Sequence, residues 1–116
     1  MIMMMKNPAY SLSPDKPSSP SRPTITEITS SSVIVKWQAP DSDGNSPITA
    51  YTVECKETGV SHWQAPVPFV STTSTVVDDL NPGSVYQFRV SANNVVGISK
   101  PSPPTDPVTL GVGNGK

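Results

Sequence analysis

The chain has 116 residues, of which 34% are hydrophobic, 15% charged and 6% aromatic, with 14 prolines and 7 glycines; that length admits one domain of about 100 residues and excludes most enzymes. Eight basic against nine acidic side chains leave a net charge of -1 and no Lys/Arg run, so neither nucleic acid nor a membrane is an expected partner. One cysteine, Cys55, and one histidine, His62, exclude an intramolecular disulfide and a multi-thiolate zinc site, so apolar burial must hold the fold.

The start, Met1-Ile2-Met3-Met4-Met5-Lys6, is apolar for too few residues to form a signal-peptide core or to span a bilayer, and a chain beginning here is expected not to be secreted. Residues 1–20 are Pro/Ser-rich and predict a flexible linker. Prolines 14, 17, 20 and 23 fall at a period of three, which sets their rings along one edge of a polyproline II spacer.

From Pro23 onward, short alternating runs separated by turn residues predict strands and no helix. A first strand is expected at Thr24–Thr29. In Ser31–Trp37, Val33, Val35 and Trp37 share one face. In Ile48–Cys55, Tyr51, Val53 and Cys55 do the same. The segment between them, from Ala39 to Pro47, is dense in turn formers. Weaker strands are expected at Ser61–Gln64 and Ser74–Asp78. In Val85–Ala92 the alternation is cleanest, with Tyr86, Phe88, Val90 and Ala92 inward, and a central strand is expected there. The last, Ile98–Val108, is interrupted by Pro101, Pro103 and Pro104, which confine it to a sheet edge. Seven such strands predict an all-β fold, a two-sheet antiparallel sandwich of immunoglobulin-like type.

Trp37, then Asp43-Gly44, then Ile48-x-x-Tyr51-x-Val53-Glu54, and finally Leu80-Asn81-Pro82-Gly83-Ser84-Val85-Tyr86-x-Phe88-Arg89-Val90-x-Ala92-x-Asn94-x-x-Gly97 together resemble a fibronectin type III domain. The resemblance implies that Leu80, Pro82, Gly83 and Tyr86 form a tyrosine corner, in which the Tyr86 hydroxyl returns to the backbone at a bend. Trp37 and Tyr51 are then structural as well. The run from Asp43 to Tyr51, followed by Glu54-Cys55-Lys56-Glu57 and Trp63, is similar to repeats of giant intracellular muscle proteins of the titin and twitchin kind. The same turn also occurs in neural adhesion receptors.

Candidate binding residues are few. Pro17-x-x-Pro20-x-Arg22 fits a ligand for an aromatic-lined SH3 groove, although the same proline spacing also straightens the approach to the first strand. Trp63 beside His62 is either an exposed recognition patch or a cover over a sheet edge. Ser13, Ser19, Ser46 and Ser102 precede prolines and are candidates for proline-directed phosphorylation. The loop Asp41–Asn45 is too short for an EF-hand and reads as a tight turn. Asp78 and Asp79 read as solvated edge residues, and Cys55, in phase with Tyr51 and Val53, as a packing residue. No catalytic, cofactor or metal site is expected. There is no Arg-Gly-Asp tripeptide and no Asn-x-Ser/Thr acceptor.

The sequence therefore predicts a linker over 1–20, a fibronectin type III domain over 21–110 and a flexible tail over 111–116. The expected role is a non-catalytic spacer or docking module of a larger cytoplasmic muscle or cytoskeletal protein, some of which carry a kinase domain. Neighbouring immunoglobulin or fibronectin type III domains and filament proteins are its expected partners, and the isolated domain is expected to be monomeric. The alternative is an extracellular module of a cell-surface adhesion receptor.

Overall fold

The computed structural model describes residues 13–111. Its strands are β1 (Thr24–Thr26), β2 (Val33–Lys36), β3 (Ala50–Glu57), β4 (Gln64–Val70), β5 (Ser74–Val77), β6 (Val85–Asn93) and β7 (Val108–Thr109). They form two antiparallel sheets, one of three strands in the order β1-β2-β5 and one of four in the order β4-β3-β6-β7. The all-β sandwich expected from the alternation is the architecture found.

The core is the meeting of the inward faces. Val33, Val35 and Val77 from one sheet and Val53, Phe88, Val90 and Ala92 from the other are fully buried. Trp37, Tyr51, Cys55 and Tyr86 complete the same cluster, closed off by Leu80 and Leu110. Burying each such Val or Phe is worth about 1.5–3 kcal/mol, which offsets the ordering entropy without any cross-link. The β3–β6 pair is the longest ladder, running from Ala50↔Asn93 to Glu57↔Tyr86.

β2, β3, β5 and β6 shift by one or two residues at their ends, and the larger differences from the sequence reading lie in β1, β4 and the segment 98–108. β1 ends early because Glu27 has φ 48, in the left-handed region that a continuing strand cannot use. The fourth strand begins where the expected Ser61–Gln64 ended. Its register against β3 is Tyr51↔Val70, Val53↔Val67 and Cys55↔Gln64, so β4 advances three residues for every two of β3. That spacing erases the period-two signal. It also accommodates Pro66 and Pro68, whose missing N–H groups are tolerated because β4 lies at the sheet edge.

The segment 98–108 is not one strand. After an isolated bridge at Asn93↔Ile98, only Val108–Thr109 pairs as β7. Between them a ladder of hydroxyl residues follows β6. The amides of Ser99, Ser102 and Thr105 donate to the carbonyls of Ala92, Val90 and Phe88 at 2.8, 2.8 and 2.9 Å. In return the amides of Ala92, Val90 and Phe88 donate to the side-chain oxygens of the same three residues at 2.9, 3.0 and 3.1 Å. Each Ser or Thr hydroxyl thus serves as the acceptor that a strand carbonyl would have been, and the buried edge of β6 is satisfied by a proline-rich chain.

The two phenylalanines test this partition between core and surface. Phe88 is fully buried and Phe69 is 79% exposed. In urea titrations Phe88→Ala is expected to lose about 3–5 kcal/mol of unfolding free energy, and Phe69→Ala to stay within about 0.5 kcal/mol.

Candidate functional site

The residues singled out in the sequence lie in three places. The first is the bend between β5 and β6. Here the Tyr86 hydroxyl accepts a hydrogen bond from the Asn81 amide at 2.9 Å. Leu80 is buried, Pro82 is exposed and Gly83 takes φ 75, which glycine adopts without Cβ strain. The Leu80 amide donates to the Ser31 carbonyl at 2.9 Å and the Gly83 amide to the Gly111 carbonyl at 2.8 Å, so the bend is tied to both neighbouring segments.

The second is the interior of the sandwich, from the Trp37–Tyr51 pair at the end away from that bend to Cys55 near it. The Trp37 and Tyr51 rings meet edge to face at 5.4 Å, joining the two sheets. The Trp37 Nε1 is buried and has no hydrogen-bond partner among the described residues. Burial pushes the Tyr51 hydroxyl above its ordinary pKa. Burial, and then the nearby Glu57 carboxylate, push the Cys55 thiol up as well. Cys55 shares a recess of about 210 Å³ with Glu57, His62, Asp79 and Tyr86, and a thiol held protonated is the poorer nucleophile. No group of three or more His, Cys, Asp or Glu suited to a metal ion occurs among the described residues.

The third is the outer face of the four-stranded sheet. Trp63 is half-buried there, and the Arg89 guanidinium lies 4.1 Å from its ring centroid. The Arg89 Nε donates to Glu54 Oε1 at 2.7 Å. Trp63, Arg89 and Glu54 therefore act as one stack. Sequence reasoning noted Trp63 alone, yet Glu54 and Arg89 are both outward residues on strands that pair, directly opposite one another. His62 is exposed beside them.

The proline-rich approach sits elsewhere. Pro17, Pro20 and Pro23 are buried at the expected period of three, while Arg22 is exposed. The ring edge of Pro17 and Pro20 thus faces the domain itself, while Arg22 points to solvent. Of the four Ser-Pro sites, Ser46 and Ser102 are buried, whereas Ser13 and Ser19 are exposed. The loop Asp41–Asn45 is a turn in which Asp43 Oδ1 accepts the Asn45 amide at 2.9 Å.

A family model described as "Fibronectin type III domain" matches residues 18–108. The chain belongs to the fibronectin type III family. It is 43% identical over 100 residues to human Roundabout homolog 2, covering 85% of this chain and 7% of that protein. It is 37% identical over 97 residues to the Titin homolog of Caenorhabditis elegans, covering 83% of this chain and a share of that protein that rounds to 0%. Among solved structures, domains A168–A170 of titin match with a TM-score of 0.80 and 37% identity over 84% of this chain and 33% of that one. The chain therefore spans a small part of the relatives it resembles. Fibronectin type III modules of titin share its fold.

Two measurements probe the bend and the interior. Tyr86→Phe removes only the bond to the Asn81 amide and is expected to lower unfolding free energy by about 1 kcal/mol in chemical denaturation. Cys55 is expected to resist an aromatic disulfide reagent at neutral pH and to react only as fast as the domain unfolds. Its raised pKa means that any stability it contributes is fully present below the unfolded-state value and is lost as pH rises through the folded one.

Proposed function

We propose that the chain is a non-catalytic spacer and docking module within a longer multidomain protein. The carrying observation is the placement of its two ends. The incoming segment lies against the loops that follow β2 and β6, through the bond from the Asp15 amide to the Gly44 carbonyl at 2.8 Å. The outgoing segment lies against the loops that precede β2 and β6, through the bonds of Gly111 with Thr29 and Gly83 at 3.0 and 2.8 Å. Chain direction along β2 and β6 puts those loop pairs at opposite ends of the sandwich. A module of this kind joins neighbours end to end.

The muscle or cytoskeletal reading of the parent, with filament proteins and neighbouring immunoglobulin or fibronectin type III domains as partners, is supported by the likeness to titin domains. A free, buried thiol also suits it. The receptor reading is supported by the higher identity to Roundabout homolog 2. In both, the domain supplies length and surface, and no bond is made or broken on it.

Compartment separates the two. Cells expressing the endogenous parent are treated with an impermeant amine reagent, and the parent is then sought in the labelled pool and in the detergent-insoluble filament pellet. Recovery unlabelled in the pellet is the expected result for a cytoskeletal parent. Surface labelling overturns that reading and assigns the module to a receptor.

A further inference from the structure

We propose that Asp15–Pro20 is a detachable strap, latched by Asn94, that opens independently of the sandwich. Its backbone touches loops alone. The Asp15 amide donates to the Gly44 carbonyl at 2.8 Å and the Ser18 amide to the Ser42 carbonyl at 3.0 Å. The Ser42 amide donates back to the Ser18 hydroxyl at 3.0 Å. Pro17 and Pro20 carry no N–H, so this segment cannot zip into a continuous ladder. Side chains add the burial of those two rings and a bond from the Ser18 hydroxyl to the Ser42 carbonyl at 3.3 Å.

Asn94 is the latch because one buried amide group joins three segments. Its Nδ2 donates to the Asp15 carbonyl at 2.7 Å and to the Asp43 carbonyl at 2.8 Å. Its Oδ1 accepts from the amides of Val96 and Gly97 at 2.8 and 3.2 Å. The oxygen shapes its own turn, and the nitrogen spends both hydrogens on the strap and the loop beneath it. The two duties therefore separate at the level of single atoms.

The glycines on either side fit this assignment. Gly44 is buried with φ +77, and a Cβ there would collide with the Asp15 carbonyl oxygen. A Cβ on Gly97 would come within 3.2 Å of Lys16 Cε, so the lysine stem passes over a bare backbone. Beyond the strap lies an open groove of about 540 Å³ between Lys16, Pro17 and Ser18 on one wall and Ile98 and Lys100 on the other. Among the described residues, that side of the strap is left open by the groove. Opening it uncovers the Pro17 and Pro20 rings and frees the incoming chain to pivot about the first strand.

The consequence for a tandem array rests on the module reading above. A pull arriving from the preceding chain meets the Asp15 bonds first and peels the strap from that end, one contact at a time, before the β3–β6 ladder is loaded.

Native-state hydrogen exchange on the full chain tests the opening itself, whichever parent carries it. In the wild type, the Asp15 and Ser18 amides are expected to exchange by an opening that denaturant does not accelerate, while β3 amides exchange only with global unfolding. Asn94→Asp keeps the oxygen that accepts from Val96 and Gly97 but sets an acceptor against two carbonyls. It is expected to speed exchange at Asp15 and Ser18 by about tenfold or more relative to β3. Gly44→Ala, acting by collision, is expected to do the same. Exchange of strap and β3 amides at one common, denaturant-dependent rate in the wild type overturns the proposal, as does an unchanged ratio in both variants.

Discussion

The fold depends on keeping the two outer edges of the β3–β6 pair satisfied. This pair is the longest ladder among the described residues and carries half of the buried core, and a buried strand edge with unpaired amides or carbonyls would cost more than a lost side-chain contact. The chain has 14 prolines with which to do it. Both edges are closed in the same manner, by segments that advance three residues while the central strand advances two. On the β3 side these are Gln64, Val67 and Val70; on the β6 side they are Ser99, Ser102 and Thr105. Every third residue faces the ladder, and the prolines fall at positions that owe it no N–H. On the β6 side the hydroxyls supply the missing acceptors. The Ser99 and Ser102 hydroxyls in turn donate to the Lys100 and Pro103 carbonyls, so they are satisfied in both roles.

This arrangement explains what could be read from the sequence. β2, β3 and β6 lie where two faces differ, and Val33–Val35, Tyr51–Val53–Cys55 and Tyr86–Phe88–Val90–Ala92 display the difference in plain alternation. β4 and the 99–105 segment do not, because a three-for-two register has no period of two. Phe69 misleads further, being a large apolar residue that stays in solvent. The tyrosine bend was legible through a local motif, since Asn81 and Tyr86 are five residues apart. The Arg89–Glu54–Trp63 stack was half legible, because its ion pair is set by strand register, which the alternation of each strand leaves undetermined.

Asn94 shows the opposite limit. It stands in the stretch that carried the family resemblance, yet its Nδ2 partners are 79 and 51 residues away in the chain. No local spacing encodes such a contact. The proline period at 17, 20 and 23 was visible, but its meaning was not: a set of rings on one edge describes a free spacer as well as a segment laid against a surface, and the structure buries them.

The two ends of the module are consequently built from different materials. The outgoing end continues β6 through paired residues, with Val85↔Thr109 and Tyr86↔Val108 in register, Leu110 buried and its amide bonded to the Ser84 carbonyl. Among the described residues, the incoming end has no strand pairing before Thr24 and rests on three proline rings and a handful of loop bonds. On the strap proposal, a sandwich whose core is common to both ends yields more readily at one of them. In a chain of such modules this asymmetry gives each junction a stiff side and a compliant side, fixed by where proline removes an N–H and where a serine hydroxyl restores an acceptor.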